Sequence, residues 1–533
     1  MGHNTTIIHL ASEVAPFYKR GGLGDVVGSL PKYLREAGDN AVISFYYHPN
    51  MKGLDTAEPL HLELAVHGIR YPFTVYHLTV QNVAHYFINL SDTHAFGETE
   101  DAGTPNKDQD GQSAYQMGLP PSLFLYFAKA ALTLIETLGW RPAFLLAHDW
   151  HTCGIFAYPE RLRSLQLETG LKTLLLIHNF EFQGDILPDA FRFLDPEGAN
   201  ALQSMYQRHK RASFLGLGIL SADHVATVSP SYAEELTAHR APHSNLCWFS
   251  KRHLPLLSFQ NGADVDRWSP ERSPYLEQPF HAKDRVAKNR YKQALLKTCG
   301  LSAKEPNRPV VLLLARLTQQ KGIHLLLDFD RDDTFALNQL ENLLATGIYL
   351  VVLGKPADGF QGRVHQLLSK ANEQFKGQFY YNWDYSDHKA HHFLAGADVL
   401  LAPSLFEPCG LVQLYAMAFA AVPIVRPVGG LRDTVQCYFR HPQTATGFHI
   451  EHHTADSLRQ TVAKAIKLYH EQPQIWQHLI DRGQEQDFSW ARMARAYTAF
   501  FEAQKTKLPP VALATWEADH DLGYSPSLET TNH

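Results

Sequence analysis

Short apolar runs rich in β-branched and aromatic residues alternate along this chain with longer segments of helical periodicity. The runs of the first half are "TIIHLAS", "AVISFYY", "AHYFINL", "AFLLAHD", "KTLLLIHN" and "HVATVS", and those of the second half are "PVVLLLA", "IYLVVLG", "QFYYNW", "DVLLAPS" and "AVPIVRP". Apolar runs without strict alternation are typical of strands that are covered on both faces. Their alternation with helices indicates βαβ units, so the pattern predicts an α/β protein with two parallel sheets.

Turn-forming residues cluster between the two series of runs, in the break at residues 240–275 that contains "LSFQNGADVDRWSPERSP". Since one hydrophobic core rarely extends over 533 residues, we expect an N-terminal domain at 1–255 and a C-terminal domain at 256–487. A helix follows at 488–507. The tail at 508–533 has little periodicity and is expected to be irregular.

Composition narrows the range of partners. The net charge of −6 offers no basic excess for a nucleic acid or an anionic membrane. No apolar stretch of about 18 residues predicts a transmembrane helix, and no secretory signal is expected. The 5 cysteines are scattered without a C-x-x-C pair, which favours free thiols in a reducing compartment and therefore a cytoplasmic location.

The segment "FYKRGGLGDVVGSLPKYL" places a glycine-rich turn between a predicted strand and a predicted helix. Backbone N–H groups at a helix start favour anions, and Lys19 lies just before Gly21 and Gly22. A dinucleotide site is disfavoured because the glycine spacing is one residue off and the second strand lacks a terminal acidic residue. Glycines that only permit close packing of strand and helix remain an alternative, although packing does not call for Lys19.

Matching groups follow strands of the second half. Arg316 and Lys321 come directly after an apolar strand, and both side chains suit phosphate oxygens. Glu407 follows another strand, ahead of a helix start at 409–411, and a second glycine turn lies at 429–431. Since ligands of open parallel sheets bind at the carboxyl ends of the strands, this arrangement predicts a ligand that carries both phosphate and hydroxyl groups.

The segments "KRGGLGD", "HDWH", "HNFEFQG", "VSPSY", "NGADVDRWSP", "ARLTQQKG", "SLFEPCGLVQLYAM" and "VGGLRDTV" occur in this order. Together they resemble the bacterial glycogen synthase and plant starch synthase family, retaining glycosyltransferases of family 5, over residues 6–505. The resemblance implies the GT-B fold, with two Rossmann-like domains and a deep interdomain cleft. It also implies transfer of glucose from ADP-glucose to the non-reducing end of an α-1,4-glucan, either glycogen or a maltooligosaccharide, with retained configuration.

The same resemblance implies roles for individual residues. Glu407 would hold glucose hydroxyls, Arg316 and Lys321 would neutralise the pyrophosphate, and Tyr385 would stack on adenine. The catalytic residues that it implies are Glu407, Arg316, Lys321, His178 and Asp149. The donor-binding residues that it implies are Lys19, Gly21, Gly22, Asp25, Asn261, Tyr385, Cys409, Gly410 and Leu411.

Three further expectations concern the metal, the cofactor and the acceptor. Asp264 and Asp266 form a D-x-D string within a turn, and we expect neither a metal nor a cofactor. The acidic segment at 96–121 lacks an Arg-Phe pair that relatives carry there, and Arg20 adds a cation to the glycine turn. A non-catalytic glucan-binding relative, or a retaining glucosyltransferase with another acceptor or with UDP-glucose, therefore remains as an alternative.

Overall fold

A computed structural model describes residues 7–505 except 20, 48–50, 52–53, 55–58, 67, 91–120, 188–190, 192–193, 244–245, 253, 303–304, 306, 329–334 and 358–360. The expectations for Arg20, for nearly all of the 96–121 segment and for the 508–533 tail fall outside the described residues.

The strands build two large sheets and one small pair. In chain order they are β1 (Ile7–Ala11), β2 (Asn40–Phe45), β3 (Leu60–Val66), β4 (Ile69–Val80), β5 (Val83–Asn89), β6 (Phe144–His148), β7 (Lys172–Ile177), β8 (Asp185–Ile186), β9 (Ala212–Ser213), β10 (His224–Thr227), β11 (Leu256–Ser258), β12 (Val310–Leu314), β13 (Tyr349–Leu353), β14 (Phe379–Asn382), β15 (Val399–Ala402), β16 (Val422–Val425) and β17 (Phe448–His449). The first sheet has the order β11-β10-β7-β6-β1-β2-β5-β4-β3, the second has the order β14-β13-β12-β15-β16-β17, and β8 pairs with β9.

Helices connect these strands and cover the sheets. They are α1 (Gly22–Tyr33), α2 (Pro121–Thr137), α3 (Pro159–Thr169), α4 (Pro196–His209), α5 (Phe214–Ser221), α6 (Pro230–Thr237), α7 (Cys247–Lys251), α8 (Arg285–Thr298), α9 (Asn338–Leu344), α10 (Gln361–Gln374), α11 (Asp387–Gly396), α12 (Val412–Ala418), α13 (Gly429–Thr434), α14 (Ala455–Glu471), α15 (Pro473–Glu485) and α16 (Trp490–Lys505). Short 3-10 helices lie at Trp150–Ala157 and Ile323–Leu325.

The two sheets confirm the predicted pair of Rossmann-like domains, with one correction. All pairings of the second sheet are parallel. In the first sheet β3, β4 and β5 form antiparallel pairs, so the expectation of purely parallel sheets is wrong at this edge. The residues of β3 alternate between covered and exposed, as expected for a strand with one solvated face, and such a pattern differs from the continuous apolar runs that the sequence reading sought.

Both faces of the first sheet are covered. One face packs on α2, α5 and the 3-10 helix at Trp150–Ala157. The other face packs on α1 and on α16, whose Phe501 ring lies 4.5 Å from the ring of Phe144. The last helix therefore lies on the N-terminal lobe, although it follows the C-terminal lobe in the chain.

The predicted boundary at residue 255 stays a prediction. Strand β11 pairs in parallel with β10, so the first sheet extends to Ser258. Among the described residues, no helix has the length and apolar character that crossing a membrane requires.

Candidate active site

A cavity of about 770 Å³ lies between the two lobes, at the carboxyl ends of strands from both sheets. Such a volume is ordinary for a small-molecule site. The sequence-predicted residues that line it are Lys19, Gly21, Gly22, Asp25, His178, Asn261, Arg316, Lys321, Tyr385, Glu407, Cys409, Gly410 and Leu411. The structure thus brings together residues that stand hundreds of positions apart, and their individual roles remain predictions.

The glycine turn opens α1 as the sequence predicts, with Gly21 as its N-cap. A Cβ at Gly21 would meet nothing within 4 Å, and one at Gly22 would meet only the Leu411 side chain at 3.8 Å. In contrast, a Cβ at Gly28 would approach the carbonyl oxygen of Ala15 to 2.5 Å. Close packing therefore explains Gly28 but neither of the first two glycines, which leave space on the cleft side.

An anion already stands at this helix start. The N–H of Gly21 donates to a carboxylate oxygen of Glu13 at 2.9 Å, and Glu13 is fully buried. The sequence argument that the turn favours negative charge is therefore consistent with the contacts. One of its N–H groups is engaged by the chain itself.

Charged side chains of the two lobes meet beside the turn. Lys19 pairs with Asp25 at 2.7 Å, and the pKa of Asp25 is raised because burial outweighs the attraction of Lys19. On the facing lobe, Asp387 accepts from the Tyr385 hydroxyl at 2.9 Å and pairs with Arg267. Burial alone would raise the pKa of Asp387, but Lys19, Tyr385 and Arg267 together lower it. The network ties one wall of the cleft to the other.

The second lobe contributes a carboxylate and two cations. Glu407 is buried, forms an ion pair with Lys321 and accepts from the Ser404 hydroxyl at 3.0 Å. Arg316 also lines the cavity, and no described carboxylate lies within ion-pair distance of its guanidinium. This wall can therefore offer a free cation to an anion while Lys321 bridges that anion and Glu407.

The loop before α12 presents backbone donors. No described acceptor lies within hydrogen-bond distance of the N–H groups of Cys409, Gly410 and Leu411. Gly410 has a φ of +69°, a left-handed conformation that favours glycine. Burial raises the pKa of the Cys409 thiol to about 12, so that side chain stays neutral and only its backbone is available to a ligand. These donors point the loop's unsatisfied polarity toward an anionic ligand.

Asp149 is the one predicted site residue that does not line the cavity. It is fully buried, and its carboxylate accepts from the backbone N–H groups of His178 at 2.6 Å and Asn179 at 3.2 Å. Its own backbone is left-handed, with a φ of 59°, a conformation that costs a non-glycine residue free energy. These contacts favour a role in holding the His178 loop over contact with the reacting atoms.

The second glycine turn serves a different purpose from the first. The N–H of Gly429 donates to the carboxylate of Glu235, on α6 of the N-terminal lobe, at 2.8 Å. Nearby, the N–H of Ser231 donates to Asp433 at 3.0 Å. The expectation that this turn offers donors to the ligand is therefore wrong for Gly429, whose N–H joins the two lobes instead.

Several cavity residues were not predicted from the sequence. They are Asn179, Gln320, Lys355, Trp383, Asp384, Asp387 and Ser404. Trp383 is 53% exposed, an unusual state for so large an apolar ring. Its position two residues before Tyr385 was the available signal, since an exposed aromatic beside a predicted base-stacking residue suits the same ligand.

The acidic turn behind α1 is occupied by internal ion pairs. Asp264 lies 3.8 Å from Lys32, and Asp266 pairs with Arg272. Across the portion of the chain that the structure describes, no group of three His, Cys, Asp or Glu residues is arranged to hold a metal ion.

Comparison with known proteins bears on both lobes. A family model described as the starch synthase catalytic domain matches residues 6–247, and one described as glycosyl transferases group 1 matches residues 301–482. The glycogen synthase of Streptococcus sanguinis (strain SK36) is 32% identical over 516 residues, which cover 93% of this chain and 99% of that protein. The glycogen synthase of Bacillus cereus (strain Q1) is 30% identical over 501 residues, with coverages of 93% and 99%.

Solved structures agree. The catalytic domain of Starch Synthase IV from Arabidopsis thaliana, bound to ADP and acarbose, superposes with a TM-score of 0.80 at 27% identity and covers 95% of this chain and 100% of its own. A sucrose-phosphate synthase from Thermosynechococcus elongatus superposes with a TM-score of 0.56 at 17% identity, covering 94% and 100% of the two chains. The second match shows the fold alone.

Proposed function

Because this chain belongs to the glycogen synthase and starch synthase family of glycosyltransferases, we propose that it lengthens α-1,4-glucans with glucose from ADP-glucose. The observation that carries the proposal is the convergence of Lys19, Arg316 and Lys321, with Glu407 among them, on one interdomain cavity. A nucleotide sugar needs such a site because it combines a doubly charged diphosphate with a sugar rich in hydroxyls.

The leaving diphosphate gains negative charge as the bond to glucose breaks. Arg316, Lys321 and the free N–H groups of residues 409–411 are preplaced to stabilise that charge. Donors of this kind are usually the largest catalytic contribution, and each is worth about 10²–10³ in rate. A diphosphate leaves without a proton from an acid, so the pair of carboxylates that glycosidases require is not needed.

The sugar would lie between the two lobes. Glu407, held by Lys321 and Ser404, would accept hydrogen bonds from glucose hydroxyls. His178 and Asn261 would line the sugar from the N-terminal side, and the exposed ring of Tyr385 would stack on the base. We propose that Asp149 acts by fixing the backbone of His178. Retention of configuration is the property that family membership implies.

Location and domain roles complete the proposal. All 5 cysteines are free thiols, which supports the reducing cytoplasm as the site of the reaction. Residues 1–255 would bind the glucan acceptor, and residues 256–487 would bind the nucleotide sugar.

The test measures glucose transfer to glycogen and to maltooligosaccharides of several lengths, with ADP-glucose and UDP-glucose as donors. Transfer from ADP-glucose is expected, with release of ADP. Binding of glucan by folded protein without turnover of either donor would replace this function with the non-catalytic alternative. Turnover of UDP-glucose alone, or of a different acceptor, would replace the substrate assignment and keep the transferase.

A further inference from the structure

Three buried histidines form a hydrogen-bonded chain from the cleft into the first sheet. His178 Nε2 lies 2.9 Å from His148 Nδ1, and His148 Nε2 lies 3.1 Å from His9 Nδ1. His9 Nε2 then lies 3.0 Å from Oδ1 of Asn40. The four residues sit on or directly after β7, β6, β1 and β2, which are neighbours in the sheet. His9 and His148 are fully buried, and His178 alone reaches the cavity.

The direction of every hydrogen bond follows from the far end. The Nδ2 of Asn40 donates to the carbonyl oxygen of Gly38 at 2.8 Å, so its Oδ1 faces His9 and can only accept. His9 must therefore carry its proton on Nε2, because a neutral imidazole has one donor and one acceptor. Its Nδ1 accepts from His148 Nε2, and His148 Nδ1 in turn accepts from His178 Nε2.

All three rings are neutral at ordinary pH, as this ordering requires. Burial lowers the pKa of His9 to about 4, with a smaller opposing effect from Asn40 and a small further lowering from His85. Burial also lowers the pKa of His178 to about 3, and that of His148 falls well below its ordinary value. The chain therefore ends in a His178 ring whose Nδ1 carries a lone pair, and no described residue bonds to that atom.

We propose that Asn40, His9 and His148 are positioning residues that hold His178 as its Nε2–H tautomer, so that Nδ1 accepts a hydrogen bond from a hydroxyl of the sugar in the cleft. The proposal rests on the proposed function. Asp149 completes the arrangement, since its carboxylate fixes the backbone N–H of the same histidine at 2.6 Å. One support sets the backbone of His178, and the other sets its proton.

A purely structural ladder is the competing explanation. Apolar side chains would fill these core positions of the sheet without a need for matched donors and acceptors. A chain that satisfies each imidazole in one direction only, and that ends at the cleft, is more ordered than packing requires. The two explanations differ in what happens when the proton order is reversed far from the substrate.

The variant Asn40→Asp reverses that order. A carboxylate beside His9 favours the imidazolium, which then donates from Nδ1 to His148 Nε2. His148 carries its proton on Nδ1 and donates to His178 Nε2, so His178 becomes an Nδ1–H donor. The extra proton comes from solvent and is held by the new ion pair. The other groups near the chain, His85 and Asp149, are unchanged.

The expected result at pH 7 is a loss of about 10-fold to 100-fold in kcat/KM for the sugar donor, since a donor then faces the sugar hydroxyl that needs an acceptor. Activity of Asn40→Asp should recover as rising pH removes the added proton. The matched variant Asn40→Ala only releases the anchor, so it should lose less than about 10-fold and show no recovery. Equal losses with parallel pH profiles, or no loss in either variant, would overturn the proposal.

A spectroscopic measurement stands apart from activity and from the folding of any variant at Asn40. Imidazole ¹⁵N shifts of the wild-type protein report the tautomer of each histidine, and His178→Ala identifies the signal of His178. The Nε2–H tautomer is expected. An Nδ1–H tautomer would refute the proposal even in an active enzyme. The expected tautomer in a protein that transfers no sugar would instead refute the proposed function.

Discussion

Replacing Lys321 by alanine removes the cation that bridges the carboxylate and the proposed diphosphate position. Lys321 is paired with Glu407, whose side chain is 10% exposed, while that of Lys321 is 22% exposed. After the replacement Glu407 keeps the Ser404 hydroxyl at 3.0 Å but loses its counter-charge. Leaving this group less well satisfied costs about 1–3 kcal/mol of folding stability. The cost stays below that of breaking a fully buried pair, because water reaches Lys321.

The expected loss of activity is larger than the loss of stability. A preplaced donor that acts on charge developing in the transition state contributes about 10²–10³ in kcat, or about 2.7–4 kcal/mol. Lys321→Ala should therefore remain folded by circular dichroism while its release of ADP from ADP-glucose falls by that factor. Lys321→Arg retains the charge and should recover part of the rate, limited by the different shape of the guanidinium.

Lys467→Ala is the matched control. Lys467 lies on α14 of the same lobe, is 71% exposed and stands 3.9 Å from Glu471. Exposed pairs of this kind contribute at most about 1 kcal/mol, so activity should be unchanged. A folded Lys321→Ala enzyme with kcat within about threefold of wild type would refute the role given to this cation, and equal losses in both variants would show that the assay reports stability.

Three further changes probe other parts of the site. Tyr385→Leu should raise KM for ADP-glucose by about 10-fold, since stacking on a base contributes about 1–3 kcal/mol, whereas Tyr385→Phe should not; equal KM values for the two would exclude stacking. Gly430→Ala would place a Cβ within 2.2 Å of the Cys409 carbonyl oxygen and shift the loop of free N–H groups, so kcat should fall severely in protein that still folds; a fully active variant would mean that the loop tolerates displacement. Because its basic neighbours hold the pKa of Asp387 below its ordinary value, the stability that Asp387 contributes is present above the unfolded pKa of about 3.9 and is lost as pH falls through the lower folded value. Urea unfolding of Asp387→Asn should thus differ from wild type at pH 7 and converge with it at low pH, and a constant difference would contradict this.

Much of the site could be read from residues that stand next to one another in the chain. Lys19 with its glycines, Arg316 with Lys321, and Glu407 with the following loop each form a local pattern at a strand end. Their meeting in one cavity could be expected because carboxyl ends of parallel strands share an edge. The role of Asp149 was less accessible, since its motif position says nothing of whether its carboxylate faces the cleft or the backbone of His178.

The limits of the sequence reading have physical causes. The antiparallel edge at β3 and β4 was missed because a strand with one solvated face shows alternation that a search for buried runs passes over. Asp387 and Glu235 were missed because they act on the opposite lobe, across a gap that no spacing in the chain encodes.

The sequence by itself determined the α/β class, the strands of the parallel regions, the glycine turn and the cations, because burial and backbone preference act over a few neighbouring residues. Only the tertiary structure decided which side chains face each other across strands and lobes. His9 and His148 lie 139 positions apart in the chain, yet 3.1 Å separates their ring nitrogens. Strand order brings them together, and strand order is a property of the whole folded sheet.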